Sequence, residues 1–213
     1  MKKYPRYQDY VIKNGKLVGE FEEMYRDYDD PWEQSTRELF ASEKASILNI
    51  VDSFGFKNVV EFGCGHGHLT ERLRKVCGSA VGLDISQTAI NKAQKNYPNC
   101  DFRLSKFPDL DLIRNLAPDC LVMAEITWYV LDDLDKFLNF LRKEMPSTLL
   151  IHLLMTYREG EQEYGTDKFT NLCEIKEYFG MHYYESGEVN SLDMAGGKRT
   201  YFAGSYDNSL FKA

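Results

Sequence analysis

Apolar and polar positions alternate along the middle of the chain in a strand–helix–strand rhythm. Val59–Phe62 is a short apolar run, Leu69–Val76 carries apolar residues at helical spacing, and Ala80–Leu83 is apolar again. The alternation continues with helix Thr88–Asn96, stopped by Pro98, strand Asp101–Leu104 and a helix around Leu110–Leu116. Strand Cys120–Ala124, helix Leu134–Lys143 and strand Thr148–Leu154 follow. Near-continuous apolar runs such as Cys120–Ala124 are those of parallel strands buried on both faces. Beyond Tyr157 the pattern changes. Arg158 to Asp167 reads as a polar loop and Asn171–Phe179 as a helix. Tyr183–Val189 and Thr200–Ser205 read as two closing strands.

Ahead of this core the pattern is helical. Phe21, Met24, Tyr25 and Tyr28 recur at helical spacing, after a turn at Asn14-Gly15. A second helix is expected from Pro31, since proline suits the first helical turn. Its apolar face is Leu39, Phe40, Ile47, Leu48 and Val51, with a break near Ser42. The expectation is one α/β domain over residues 1–213, with an N-terminal helical cap (1–53) and a doubly wound Rossmann-like core (54–213).

The most informative stretch joins the first two core strands. Glu61-Phe62-Gly63-Cys64-Gly65-His66-Gly67-His68 follows a strand and opens a helix, and Asp84 ends the next strand. Glycines let the backbone turn sharply and approach a ligand closely, because no Cβ intrudes. Asp84 falls roughly 20 residues after the turn, where a carboxylate can bond both hydroxyls of a ribose. A dinucleotide fingerprint needs its third glycine at the position held by His68. A carboxylate at Glu61 would repel a pyrophosphate but suits the ammonium and sulfonium of S-adenosylmethionine. A nucleotide-dependent oxidoreductase and a non-catalytic cofactor-binding protein stand as alternatives.

Composition narrows the partners. A net charge of −7 and a pI near 5.2 argue against nucleic acid, which is bound through clustered Lys and Arg. The five cysteines show no metal-type pairing, so reduced thiols and no metal site are expected. Met1-Lys2-Lys3 leads into Tyr, Pro and Arg, and no apolar run is long enough for a membrane helix. A cytoplasmic protein acting on a small molecule is the expectation, with its oligomeric state left open.

These residues resemble motif I and the following acidic motif of the class I S-adenosylmethionine-dependent methyltransferases, over roughly Phe54 to Leu154. The resemblance implies a seven-stranded sheet in the order 3-2-1-4-5-7-6. It places the methionine part of the cofactor on Glu61, Gly63, Cys64, Gly65 and Gly67, the ribose on Asp84, and the adenine against Ile85. The family usually has an acidic residue after the third strand, where this chain has Lys106. The adenine is then left to backbone near Lys106 and to stacking on Phe107. The N-terminal segment is similar to that of small-molecule methyltransferases, including nodulation-type N-methyltransferases and those acting on polysaccharide precursors. It implies a lid from Phe21 to Trp32, with Tyr25 and Trp32 near the cofactor.

Strand ends supply the remaining candidates, because ligands of open α/β sheets lie beyond the carboxyl ends of the strands. Glu125 falls where the family carries motif IV, to stabilise the sulfonium or orient a donor. Trp128 and Tyr129 are candidates to wall a substrate pocket, and Tyr157 and Arg158 to bind the acceptor. His152, late in an apolar strand, is a candidate general base alongside Glu125, with a core histidine as the alternative. His66 and His68 read as exposed or cap-related. The expected reaction is methyl transfer to an oxygen or nitrogen of a small polar metabolite, such as a sugar- or phosphate-bearing precursor of a surface polysaccharide.

Overall fold

The computed structural model describes residues 2–36, 42–190 and 197–211. The chain forms two compact units, Met1–Phe107 and Pro108–Ala213.

The first unit opens with a 3-10 turn, Tyr7–Tyr10, and a small hairpin of β1 (Ile12–Lys13) and β2 (Lys16–Leu17). Asn14 and Gly15 turn it with φ of 52° and 67°, the left-handed values a two-residue hairpin turn requires. Helix α1 (Phe21–Asp27) and α2 (Ser42–Phe54) precede β3 (Asn58–Phe62), α3 (His68–Cys77), β4 (Ser79–Asp84), α4 (Gln87–Asn96) and β5 (Asp101–Leu104). Strands β3, β4 and β5 are parallel, with Val59 opposite Ala80 and Gly82 opposite Phe102. Leu69, Thr70, Leu73 and Cys77 form the buried stripe of α3. Ser86 starts α4 by accepting from the Ala89 N–H at 3.1 Å.

The second unit holds α5 (Leu110–Leu116), β6 (Cys120–Ala124), a 3-10 turn at Thr127–Tyr129 and α6 (Leu131–Glu144). Then come β7 (Leu149–Tyr157), α7 (Leu172–Phe179), β8 (His182–Val189) and β9 (Gly197–Ser205). Strands β6 and β7 are parallel, whereas β9 is antiparallel to both β7 and β8. The sheet order is β5-β4-β3-β6-β7-β9-β8. Counted from β3, that is the expected 3-2-1-4-5-7-6 order, and the fold class is the expected Rossmann-like α/β one.

Three elements differ from expectation. Residues 31–36 form turns, not the start of a helix, and the next described helix is α2, Ser42–Phe54. The Asp30 carboxylate accepts from Gln34 N, Ser35 N and Ser35 Oγ, satisfying these amides locally in place of a helical turn. Leu39 and Phe40 lie outside the described residues. Strand β7 runs on to Tyr157 because Met155, Thr156 and Tyr157 pair with Arg199, Lys198 and Gly197. The β1–β2 hairpin was missed because two-residue strands carry no alternation to read.

All five cysteines are thiols. Among the described residues, no helix is long and apolar enough to cross a membrane, and no cluster of three or more His, Cys, Asp or Glu is placed to hold a metal ion.

Candidate functional site

Strand β3 delivers the chain into the glycine loop, where Gly63, Gly65 and Gly67 all lie in the left-handed region, at φ of 68°, 53° and 80°. Gly67 and Gly65 do different things. A Cβ on Gly67 would run into the ring of Phe102, so this glycine lets an aromatic of β5 pack against the loop. A Cβ on Gly65 would lie 2.5 Å from Gln34 Oε1 and 2.8 Å from the Tyr25 hydroxyl. The open side of Gly65 therefore faces side chains of the N-terminal segment. Cys64 packs with Ile90, Ala93 and Phe102, and burial pushes its thiol pKa well up.

Asp84, buried at the end of β4, accepts from the Gly65 N–H through Oδ2 and from the Ser86 N–H through Oδ1, each at 2.9 Å. Burial raises its carboxyl pKa against these hydrogen bonds. Ile85, next along, is 49% exposed, an apolar side chain left open beside that carboxylate. Lys106 is exposed, and Phe107 packs edge-on against Phe62 with centroids 5.2 Å apart.

Glu61 is buried within β3 and accepts from Thr70 Oγ1 at 2.5 Å. Burial pushes its carboxyl up to about 7, with the Thr70 bond and the charge of Lys44 opposing. It is therefore close to half-protonated at neutral pH and responsive to any cation brought near it.

The N-terminal segment is fastened to α4 at two points. Glu22 of α1 accepts from Ser86 Oγ at 2.7 Å, from Thr88 N at 3.0 Å and from Thr88 Oγ1 at 2.6 Å. Burial alone would raise the Glu22 carboxyl, but these bonds hold it down at about 2. Lys92 of α4 donates to the carbonyls of Tyr25, Tyr28 and Asp29 at 3.0–3.2 Å, at the C-terminal end of α1. Tyr25 is buried, its ring 5.3 Å from that of His66, while Trp32 is half-buried edge-on to Tyr7.

Beside this segment lies an open cleft of about 490 Å³ whose lining includes Asp30, Ser35, His66, His68, Lys92 and Tyr97. His66 was expected to be exposed or cap-related. It is buried, and burial lowers its pKa to about 4, which keeps it neutral. His68 is half-buried, with Nδ1 2.6 Å from the Tyr97 hydroxyl. Both Nε2 atoms are buried without a hydrogen-bond partner among the described residues.

In the second unit, Glu125 follows β6 with φ of 63°, unusual for a residue with a side chain. Its Oε2 accepts from Met155 N at 2.9 Å, and its Oε1 lies 3.6 Å from Arg199 Nε. Trp128 is buried, donating from Nε1 to Met155 O at 2.9 Å and lying against Phe169. Tyr129 is half-buried, and Tyr157 and Arg158 are exposed at the end of β7. His152 is fully buried, stacked on Phe202 at 4.8 Å and beside Phe179, with Nε2 2.7 Å from Thr127 Oγ1. Burial pushes its pKa down to about 3.

Residues 59–144 match the family described as "Methyltransferase domain". This part of the chain is similar to methyltransferase domains. The Rossmann-like fold around it is shared by solved methyltransferase structures. Nodulation protein S of Azorhizobium caulinodans is 27% identical over 125 residues, covering 57% of this chain and 60% of that protein. An uncharacterized protein of Haemophilus influenzae is 25% identical over 161 residues, covering 70% of this chain and 62% of that one. The matches thus span about three-fifths of the length of these relatives. The N-methyltransferase NodS from Bradyrhizobium japonicum WM9, solved in complex with S-adenosyl-L-homocysteine, shares the fold. The TM-score is 0.59 at 17% identity, covering 83% of this chain and 93% of that one.

Within the methyltransferase fold, sequence reasoning missed Glu22, Gln34 and Lys92. Their roles come from contacts to residues 32 to 67 positions away, and no local spacing announces them.

Proposed function

We propose that the chain transfers the methyl group of S-adenosylmethionine to a nitrogen of a small, polar metabolite in the cytoplasm. The observation that carries the cofactor assignment is the Asp84–Gly65 hydrogen bond beside the exposed Ile85. It joins a carboxylate suited to ribose hydroxyls, an apolar side chain suited to an adenine face, and a loop open to close approach. Glu61 and Asp84 both fit a ligand bearing an ammonium group and a ribose. A pyrophosphate would meet two buried carboxyls.

When bound, the cofactor supplies the electrophilic methyl group. The chain's own residues have the work of holding both partners in line and keeping water out. Tyr25 and the segment that carries it are proposed to cover the cofactor, and Trp128, Tyr129, Tyr157 and Arg158 to receive the acceptor. Exposed Arg158 favours an anionic acceptor, such as a sugar phosphate. The choice of nitrogen over oxygen rests on the candidate bases. His152 is enclosed by aromatic rings, and Glu125 is engaged by Met155 N and Arg199. A hydroxyl acceptor needs a base in the site, whereas an amine needs only to shed its proton before attack.

Thermal unfolding with S-adenosylmethionine, S-adenosylhomocysteine and NADPH in separate samples tests the cofactor. A ligand of the native state alone adds about 2.7 kcal/mol at a hundredfold excess over Kd. Stabilisation by the first two is expected. Stabilisation by NADPH alone would refute the assignment. Acceptors are then screened as amine and hydroxyl pairs of otherwise matched polar metabolites.

A further inference from the structure

We propose that Gln34 is a specificity-determining residue of the cofactor site, its carboxamide receiving the carboxylate at the amino-acid end of the cofactor. The inference rests on the S-adenosylmethionine reading above.

Gln34 Oε1 accepts from the His66 backbone N–H at 3.1 Å. That bond fixes which way the amide faces, because the oxygen must meet the donor. The two hydrogens on Nε2 are then the ones presented elsewhere. The amide sits on the one face of the loop that a missing side chain leaves open. Its Oε1 and Nε2 lie 2.5 and 2.9 Å from where a Cβ on Gly65 would stand, and the Tyr25 hydroxyl lies 2.8 Å from the same point. The Gln34 amide, with its Nε2 hydrogens to donate, and the Tyr25 hydroxyl beside it thus converge on the loop that the cofactor's methionine part would occupy. A carboxylate is the complement of that pair, as the buried carboxyl of Glu61 is the complement of an ammonium.

The placement is built in. Gln34 N donates to Asp30 Oδ1 at 2.9 Å within the turn that replaces a helix here. The preceding segment is held by Glu22 on the start of α4 and by Lys92 on the carbonyls of Tyr25, Tyr28 and Asp29. Gln34 therefore does not have to be ordered when the ligand arrives.

The test compares S-adenosylhomocysteine with 5′-methylthioadenosine, which keeps the adenosine and sulfur but lacks the amino-acid part. Kd values are measured by calorimetry on the wild type, Gln34→Ala and Gln34→Glu. The alanine variant is expected to weaken S-adenosylhomocysteine by about tenfold to a hundredfold, the range of a hydrogen bond to a charged group. The glutamate variant, setting carboxylate against carboxylate, is expected to weaken it at least as much. Methylthioadenosine binding should stay within about twofold in both. Equal losses for the two ligands, or no loss, would overturn the assignment. Tighter S-adenosylhomocysteine binding by the alanine variant would also overturn it, making Gln34 a side chain that the cofactor displaces. A wild type that binds neither ligand removes the cofactor reading itself.

Discussion

Glu22 of α1 and Lys92 of α4 cap each other's helices. The carboxylate of Glu22 satisfies the Thr88 N–H at the start of α4, and the Lys92 ammonium closes carbonyls at the end of α1. Each charge sits at the helix end where the peptide dipoles favour it. The same two side chains fasten the N-terminal segment to the element that follows Asp84.

Glu22→Ala and Lys92→Met should each cost about 1 kcal/mol, the usual worth of a cap, which is roughly 2–4 °C in Tm for a chain of this size. The double variant should lose less than the sum, since either change releases the same segment. The Glu22 contribution also has a pH signature. Its folded pKa, about 2, is below its ordinary value of 4.5, so the stabilisation is complete above pH 4.5 and is lost as pH falls towards 2. Thermal melts from pH 7 to 3 on wild type and Glu22→Gln would show a steeper acid loss in the wild type. Parallel curves would count against the cap.

Asp84→Ala should abolish measurable cofactor binding and also lower stability. The Gly65 and Ser86 amides would each lose a buried acceptor, at about 1–3 kcal/mol apiece. Asp84→Asn keeps an acceptor for one of those two amides and should recover part of the stability but not the affinity. Full binding by the alanine variant, in a calorimetric titration, would remove Asp84 from the ribose.

Glu61 should make cofactor binding proton-linked. With its carboxyl near 7 in the free protein, a cationic ligand should drive it to the ionised form and release part of a proton at pH 7. Affinity for S-adenosylmethionine should rise with pH up to about 7 and then level off. Calorimetry in two buffers of different ionisation enthalpy measures the released proton directly. Glu61→Gln should abolish the release, and an undiminished release would assign the proton elsewhere.

His152→Leu should leave turnover within a few-fold while changing the acid stability. The buried imidazole has a folded pKa of about 3 against an ordinary 6.5, so its neutral form stabilises fully above pH 6.5 and progressively less as pH falls towards 3. The leucine variant should lose that slope in denaturation midpoints measured across this range. A collapse of turnover with cofactor affinity intact would instead make His152 a participant in the reaction.

The core was legible because burial on both faces writes itself as apolar runs. The strands from β3 to β6 follow from runs such as Cys120–Ala124 and the glycine loop from its spacing, whereas the strand order came only with the family resemblance. What escaped is held together across distance. Nothing near Gln34 marks it as the partner of His66, and nothing near Lys92 marks it as the ammonium that meets Tyr25. The helix expected from Pro31 fails for a local reason: Asp30 supplies acceptors that Gln34 and Ser35 would otherwise seek further back along a helix. His66 looked exposed by its place in a polar turn, yet the N-terminal segment and Tyr25 cover it.

The division of labour between Gly65 and Gly67 bears on how a lineage loses activity. A descendant that no longer bound its ligand would still have to keep Gly67, because the ring of Phe102 occupies the space of any larger side chain. Selection for folding alone would preserve that position. Gly65 opens towards Gln34 and Tyr25, two side chains that could themselves be replaced or retract. Drift at Gly65 with Gly67 intact would be the earliest mark of a retired enzyme. A count of glycines across the loop would overlook it.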